Sequence, residues 1–300
     1  MIYSVLQKVS TAVWSIILTA GTGFAQDSEP LTWSSQADHS RCPVGPTALW
    51  IDAPDVEACM RFFSAGEIKS APLIVVLLRG DRNAFVKIHP SKIPQNTVEE
   101  QEKLAKDARK RVGLPVISLA RPGTYGSSGN HLRRRQKPEF DTINATLNAL
   151  RERYGIGEFV LVGHSGGATA VGAMLTYGRR DIRCAIIVSG AFDLLERARW
   201  LRHLNGRREK PGRDTTGLAN PYDPISHTGG IAIHPERRIV VMGDPHDTVT
   251  PFSLQKKFAE NVRLLGHQVE VHRIKARAPA HHYPGPTVSL DMVKPCLRTN

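Results

Sequence analysis

The chain has 300 residues, of which 41% are hydrophobic and 23% charged, the composition of a folded globular protein rather than a disordered or fibrous one. Its formal net charge is +12. The basic side chains are not interleaved with aromatic ones and no nucleic-acid-binding motif is present, so we expect no nucleic-acid partner.

The first residues have the features of a secretory signal peptide. Lys8 supplies a positive charge, residues 11–20 (TAVWSIILTA) form a short apolar run, and residues 23–25 (GFA) fit a cleavage site between small residues. We therefore expect residues 1–25 to be removed, leaving one domain over residues 26–300 in a secreted or periplasmic protein. The apolar run is short for a membrane span, and an uncleaved anchor is the alternative.

Strands and helices alternate along most of the remaining chain. Two early strands, 48–52 and 58–64, flank a turn and predict an antiparallel edge. Continuous apolar runs such as 73–78 (LIVVLL) suit strands that are covered on both faces. The other predicted strands are 115–120, 158–162, 184–188, 238–242 and 269–274, and the predicted helices are 98–112, 140–154, 166–177, 251–265 and a tail from Thr287. The alternation predicts an α/β fold with a mainly parallel twisted sheet and helices on both faces.

Segment 192–235 breaks this rhythm. It contains one helical stretch, followed by many Gly, Pro, Asp and Asn residues. We interpret it as a cap or lid insertion over the strand tips, because long loops in compact domains are usually functional or mobile. A long solvated loop is the alternative.

The strongest motif is Gly-His-Ser-Gly-Gly at residues 163–167, between a predicted strand and a predicted helix. This G-x-S-x-G pattern requires a sharp turn that exposes the serine hydroxyl, with glycines where strand and helix crowd each other. We therefore predict Ser165 as a nucleophile. The backbone N–H of Gly166, at the positive end of the helix, is the first predicted oxyanion donor.

A serine nucleophile needs a base, and the base needs an acid that orients it. Residues 242–251 (MGDPHDTVTP) follow a strand and precede a helix, and we choose Asp247 as the acid. Asp244, at the strand end, is its competitor, and Asp193 is a weaker alternative. The base should follow the last strand, where we choose His281, with its neighbour His282 as the alternate.

The second oxyanion donor should come from the loop after strand 73–78, which reads Arg79-Gly80-Asp81-Arg82. We choose the backbone of Asp81. An ordinary turn is the alternative.

Four cysteines follow the signal segment, an even number that suits two disulfides in an exported chain. Three pairings are possible. We prefer Cys42–Cys59, which are close in sequence and flank the early strands. Cys184–Cys296 then follows by exclusion. Cys184 begins a predicted strand and Cys296 ends the last predicted helix, and in a parallel α/β layer these two ends lie at the same edge. No cysteine or histidine spacing fits a zinc site, so we predict no metal.

Two stretches are dense in basic residues, 131–137 and 197–213. We favour the interpretation that they form a solvated basic face. Weak attraction to acidic lipids, cell-wall polymers or anionic substrates is the alternative.

In the order of these motifs, residues 45–296 resemble the α/β-hydrolase superfamily. The elbow at 163–167, the acid loop and the Ala-His-His tip match its pattern. Residues 121–128 look like an R-x-G-x-x-G-x-S loop of that family, and residues 220–226 are similar to a segment of prolyl-oligopeptidase-like members. One departure is Arg79-Gly80, where His-Gly is usual.

The resemblance implies hydrolysis of a small ester or short peptide through an acyl-enzyme intermediate, without a metal or organic cofactor. We favour a carboxylesterase-like activity. A small exported peptidase or amidase is the first alternative, and a catalytically silent binding protein on the same fold is the second. The chain has no room for the propeller of large oligopeptidases.

Overall fold

The computed structural model describes residues 28–298, so the predicted signal peptide lies outside the described residues. An eight-stranded sheet organises this part of the chain, with spatial order β1-β2-β4-β3-β5-β6-β7-β8. The strands are β1 Ala48–Ala53, β2 Val56–Ala65, β3 Leu73–Leu78, β4 Val116–Leu119, β5 Glu158–His164, β6 Ile182–Val188, β7 Arg238–Gly243 and β8 Val269–Arg273.

The sheet is antiparallel only at one edge. β1 pairs with β2, and β2 with β4, in antiparallel register, whereas every other neighbouring pair is parallel. The mainly parallel sheet with an antiparallel edge, predicted from the sequence, is therefore confirmed. A parallel arrangement brings the carboxyl ends of β3, β5, β6 and β7 to one side of the molecule, where loops can converge on a site.

Seven α-helices lie within residues 28–298, and most of them pack on the sheet. They are α1 Val98–Val112, α2 Lys137–Tyr154, α3 Gly166–Thr176, α4 Leu194–Leu204, α5 Phe252–Leu264, α6 Val288–Asp291 and α7 Val293–Leu297. α1 begins at a Thr97 hydroxyl that accepts from Glu100 N, and it ends at Gly113 with φ of 77°. α2 begins three residues before its predicted start, because Pro138 fits the first turn of a helix, where no N–H is needed.

Each face of the sheet carries its own apolar core. One core contains Phe140 of α2, Val171 of α3 and Phe258 of α5. The other contains Val112 of α1 and Val293 of α7. Because both faces are covered, the central strand β3 is apolar along its whole length.

The cysteine sulfurs of Cys42 and Cys59, and those of Cys184 and Cys296, lie at disulfide-bonding distance. These are the pairings that the sequence predicts. The first bridge links the segment before β1 to β2, and the second links β6 to α7. No helix between residues 28 and 298 is both long and apolar enough to cross a bilayer.

Candidate active site

Ser165 stands at a sharp turn between β5 and α3. Its backbone has φ of 55° and ψ of −121°, a strained conformation for a residue with a side chain. The turn requires glycine at position 163, because a Cβ there would collide with the backbone of Gly167. The backbone N–H of Ser165 donates to the carbonyl of Val188 on β6, 2.9 Å away. The turn therefore holds the serine hydroxyl at the carboxyl edge of the sheet.

The structure brings Ser165, His282 and Asp247 together in one hydrogen-bonded row. His282 Nε2 lies 2.9 Å from Ser165 Oγ, and His282 Nδ1 lies 2.9 Å from Asp247 Oδ2. The Asp247 side chain is fully buried, and the His282 side chain is 15% exposed. A serine, a histidine and a buried carboxylate in this order have a geometry in which the imidazole can accept the serine proton.

The loop after β7 holds the Asp247 carboxylate with three further donors. The backbone N–H groups of Val249 and Thr250 lie 2.7 and 2.8 Å from Asp247 Oδ1, and the Thr250 hydroxyl donates to Oδ2 at 2.8 Å. These donors fix the orientation of the carboxylate that faces His282. Sequence reasoning did not single out Thr250, although its place three residues after the acid is that of an Asp-anchored turn.

The choice of His281 over His282 as the base was wrong in geometry. His281 has φ of 52°, and this left-handed backbone turns its ring toward Asp244, with Nδ1 3.4 Å from Asp244 Oδ2. Asp244 also accepts from the backbone N–H of Ala276 and of His246 at 2.7 and 2.8 Å. Burial raises the pKa of Asp244, but these hydrogen bonds lower it by more, so the pKa is lowered overall. Asp244 therefore fastens the acid loop to the base loop, and His282 is the histidine that faces Ser165.

The other alternative acid, Asp193, lies outside this row. Its carboxylate pairs with Lys257 Nζ at 2.5 Å, just before α4 begins.

The two predicted oxyanion loops meet beside Ser165. Gly166 is the first residue of α3, where a backbone N–H has no partner within the helix. A Cβ at Gly80 would lie 3.2 Å from Ser165 Cβ, so the loop after β3 contacts Ser165 through glycine. The Asp81 carboxylate lies against the α-carbon of Gly166, since a Cβ there would overlap it.

Beneath this loop lies a buried ionic cluster, which we define as Asp81, Arg121, Arg134, Arg135 and Asp214. The Asp81 carboxylate accepts from all three arginines, with Arg121 Nη1 and Arg134 Nε each 3.0 Å away. Arg135 Nε also donates to Asp214 Oδ2 at 2.9 Å. Burial alone would raise the pKa of Asp81, but the arginines hold it well below its usual range. The cluster therefore fixes the Asp81 side chain as an anion.

The interpretation of stretch 131–137 as a solvated basic face was wrong for part of its length. His131, Arg134 and Arg135 are buried. The two arginines can be buried because the ionic cluster supplies carboxylates that compensate their charge. The paired acids, Asp81 and Asp214, are distant in sequence, so the local sequence of the stretch does not predict these ion pairs.

Two neutral histidines border the site. Burial lowers the pKa of His131 to about 3, and its Nε2 accepts from the backbone N–H of Arg82 at 3.0 Å. Burial and the nearby His282 lower the pKa of His164 to about 4, and its Nε2 donates to the carbonyl of His282 at 3.2 Å. One ring thus supports the loop after β3 and the other supports the base loop.

Segment 192–235 contains α4 and contacts the site at two points. Arg197 of α4 donates through Nε to the carbonyl of Val249 in the acid loop, 2.8 Å away. Asp214 belongs to the ionic cluster. The segment is therefore attached to the same edge of the sheet as Ser165. Within residues 28–298, no group of three or more His, Cys, Asp or Glu side chains is arranged to hold a metal ion.

No protein-family model matches the sequence, and no curated protein matches it significantly. Solved structures do resemble the fold. Est1E from Butyrivibrio proteoclasticus superposes with a TM-score of 0.51 at 13% identity, covering 84% of this chain and 96% of that one. The Pyrococcus furiosus esterase Pf2001 gives 0.53 at 12% identity, covering 88% and 90%. An arylesterase gives 0.53 at 13% identity, covering 88% and 85%. Together with the sheet order and the nucleophile turn, these likenesses identify the chain as having the α/β-hydrolase fold.

Proposed function

We propose that the protein is a serine hydrolase that cleaves carboxylic esters through an acyl-enzyme intermediate. The observation that carries the proposal is the row from Ser165 Oγ through His282 to Asp247, with both hydrogen bonds at 2.9 Å. A base within hydrogen-bonding reach of a serine, oriented by a buried acid, is the arrangement that activates a hydroxyl for attack on an acyl carbonyl.

In the proposed first step, Ser165 Oγ forms a bond to the acyl carbonyl carbon while its proton passes to His282 Nε2. Asp247 stabilises the imidazolium that results. The tetrahedral intermediate then breaks its bond to the leaving oxygen, which takes the proton from His282. In the second step, water repeats the attack with His282 as its base, and the acid product leaves as Ser165 Oγ recovers a proton.

The negative oxygen of each tetrahedral intermediate needs donors that are already in place. We assign this role to the backbone N–H of Gly166 and that of Asp81. Two features support the assignment: Gly80 contacts Ser165, and the three arginines around the Asp81 side chain immobilise its loop. Preorganised donors of this kind typically contribute a factor of about 100 to 1,000 in kcat each.

We further propose that the chain is exported and that segment 192–235 forms a lid over the substrate. The apolar run near the N-terminus and two cysteine pairs at bonding distance support export. The attachment of Arg197 and Asp214 to the site supports the lid.

The test is a series of 4-nitrophenyl esters of increasing acyl length beside aminoacyl 4-nitroanilides, assayed with the purified protein. We expect release of nitrophenol from short esters and little release of nitroaniline. Ser165→Ala, with a circular dichroism spectrum matching the wild type, should lose this activity by several orders of magnitude. Faster cleavage of the anilides would favour the peptidase alternative. Wild-type turnover by Ser165→Ala would refute the assignment of Ser165 as the nucleophile.

A further inference from the structure

Two arginine side chains of the loop after β3 have unused hydrogen-bond donors. Arg79 Nη1 and Arg82 Nε are buried and find no partner among residues 28–298. The acid nearest in sequence, Asp81, is taken by the arginines of the ionic cluster. Each unpaired buried donor on a charged group is costly, so a partner from outside the chain would be stabilising.

Arg79 is surrounded by an aromatic ring and another cation rather than by carboxylates. Burial lowers the pKa of Arg79, and the positive charge of Arg82 adds to this effect, although the Tyr125 hydroxyl partly opposes it. The guanidinium faces the ring of Tyr125, with its carbon 5.1 Å from the ring centroid. Arg121 contrasts with it, because Glu139 and Asp81 more than offset its burial and raise its pKa. Arg79 thus contacts Tyr125 but has no carboxylate partner among residues 28–298.

A cavity of about 500 Å³ lies beside these side chains. Its lining includes Arg79, Gly80, Arg82, His164 and Tyr283. Gly80 and His164 line the cavity and also border Ser165, so the cavity adjoins the turn that carries the Ser165 hydroxyl. The cavity is large enough for a short acyl chain or a small leaving group.

Two other charged residues of the lining have partners of their own. Asp107 pairs with Lys110 at 3.4 Å on the surface, and Arg111 pairs with Asp291. Arg79 and Arg82 therefore remain the charges in the lining that an incoming anion can neutralise.

We propose that Arg79, assisted by Arg82, selects esters that carry a second, ionised carboxylate. This inference rests on the proposed function and names the substrate class of the same site. It also explains the departure in the loop after β3, where Arg79-Gly80 replaces the usual His-Gly. A planar guanidinium binds a carboxylate through two parallel hydrogen bonds, which a histidine cannot offer.

The test compares charged esters with neutral partners of the same shape. On the acyl side, the 4-nitrophenyl monoester of glutaric acid is compared with its methyl-capped diester. On the leaving-group side, the butyrate ester of 4-hydroxybenzoic acid is compared with the butyrate ester of methyl 4-hydroxybenzoate. The measured quantity is the ratio of kcat/KM, charged over neutral, in low salt at neutral pH. The two arms show which side of the ester meets the arginines.

In one arm we expect the wild-type protein to prefer the charged ester by about 10- to 100-fold, the usual strength of hydrogen bonds to a charged group. Arg79→Met should reduce that ratio to about one or below, mainly through KM, and Arg79→Lys should retain part of it. Arg180→Met, at an exposed arginine at the opposite end of the sheet, is the matched control and should leave the ratio unchanged.

One further measurement needs no variant. Glutarate should inhibit hydrolysis of the neutral ester by the wild-type protein competitively, and dimethyl glutarate should not. The inference is overturned if neither arm shows a preference for the charged ester, or if the preference survives Arg79→Met. If neutral esters are cleaved without a preference, the proposed function stands and only the inference fails. If none of the four esters is cleaved and Ser165 resists acylation, the proposed function itself fails.

Discussion

Adjacent histidines allow a matched pair of substitutions. We predict that His282→Asn lowers kcat/KM for a short ester by about 10⁴-fold, whereas His281→Asn lowers it less than about fivefold. His282 Nε2 lies 2.9 Å from Ser165 Oγ, so its loss removes both the proton acceptor and the later proton donor. Asparagine is used at both positions because it tolerates the left-handed backbone of residue 281, with φ of 52°.

The smaller effect at His281 follows from its contact. Its Nδ1 lies 3.4 Å from Asp244 Oδ2 with a side chain that is 32% exposed, and partly exposed pairs of this kind contribute about 0–1 kcal/mol. A tenfold change in rate corresponds to about 1.4 kcal/mol, so the contact accounts for a few-fold change at most.

The assay is initial-rate hydrolysis of 4-nitrophenyl butyrate by both variants, with thermal unfolding to show that each is folded. A fall for His281→Asn as large as that for His282→Asn would refute the assignment. So would a His282→Asn protein that retains more than a tenth of the wild-type rate.

Three further predictions concern the support of the site. Gly163→Ala should destabilise the fold by about 3 kcal/mol or abolish soluble expression, because the new Cβ meets the backbone of Gly167; an unchanged melting temperature would contradict this. Asp214→Asn should lower the free energy of unfolding by about 3 kcal/mol or more in urea, because it leaves Arg135 short of a buried counter-charge; a change below 1 kcal/mol would count against the ionic cluster. Because the pKa of His131 is about 3 when folded, the unfolded chain binds more protons below pH 6.5, so stability should fall on acidification, by about 2 kcal/mol at pH 5. His131→Gln should remove that part of the pH dependence, and an unaltered slope would contradict it.

The sequence predicts the sheet because its strands are buried on both faces. The run 73–78 is apolar throughout, which is typical of a strand in a parallel sheet that is covered on both faces. The nucleophile turn is predictable for a local reason, since Gly163, Ser165 and Gly167 all act within five consecutive residues. The loop that carries the proposed acid follows from its place between a strand and a helix.

The base could not be chosen in this way. His281 and His282 are consecutive in one loop, and Asp244 and Asp247 lie in another loop, so either histidine could pair with either aspartate. The backbone angle of His281 decides which ring meets Asp244 and which meets Asp247, and that angle depends on how the loops pack. The ionic cluster was missed for a related reason, because Asp81, Arg135 and Asp214 come together only in the folded chain.

Covalent labelling tests the central claim most directly. The wild-type protein and its His282→Asn variant are treated with a fluorophosphonate, digested and mapped by mass spectrometry. We predict that the probe attaches to Ser165 in the wild-type protein and that the variant is labelled at least about 100-fold more slowly, since the hydroxyl then lacks its base. Attachment at any other residue, or equal labelling rates for the two proteins, would contradict the claim that Ser165 and His282 act together.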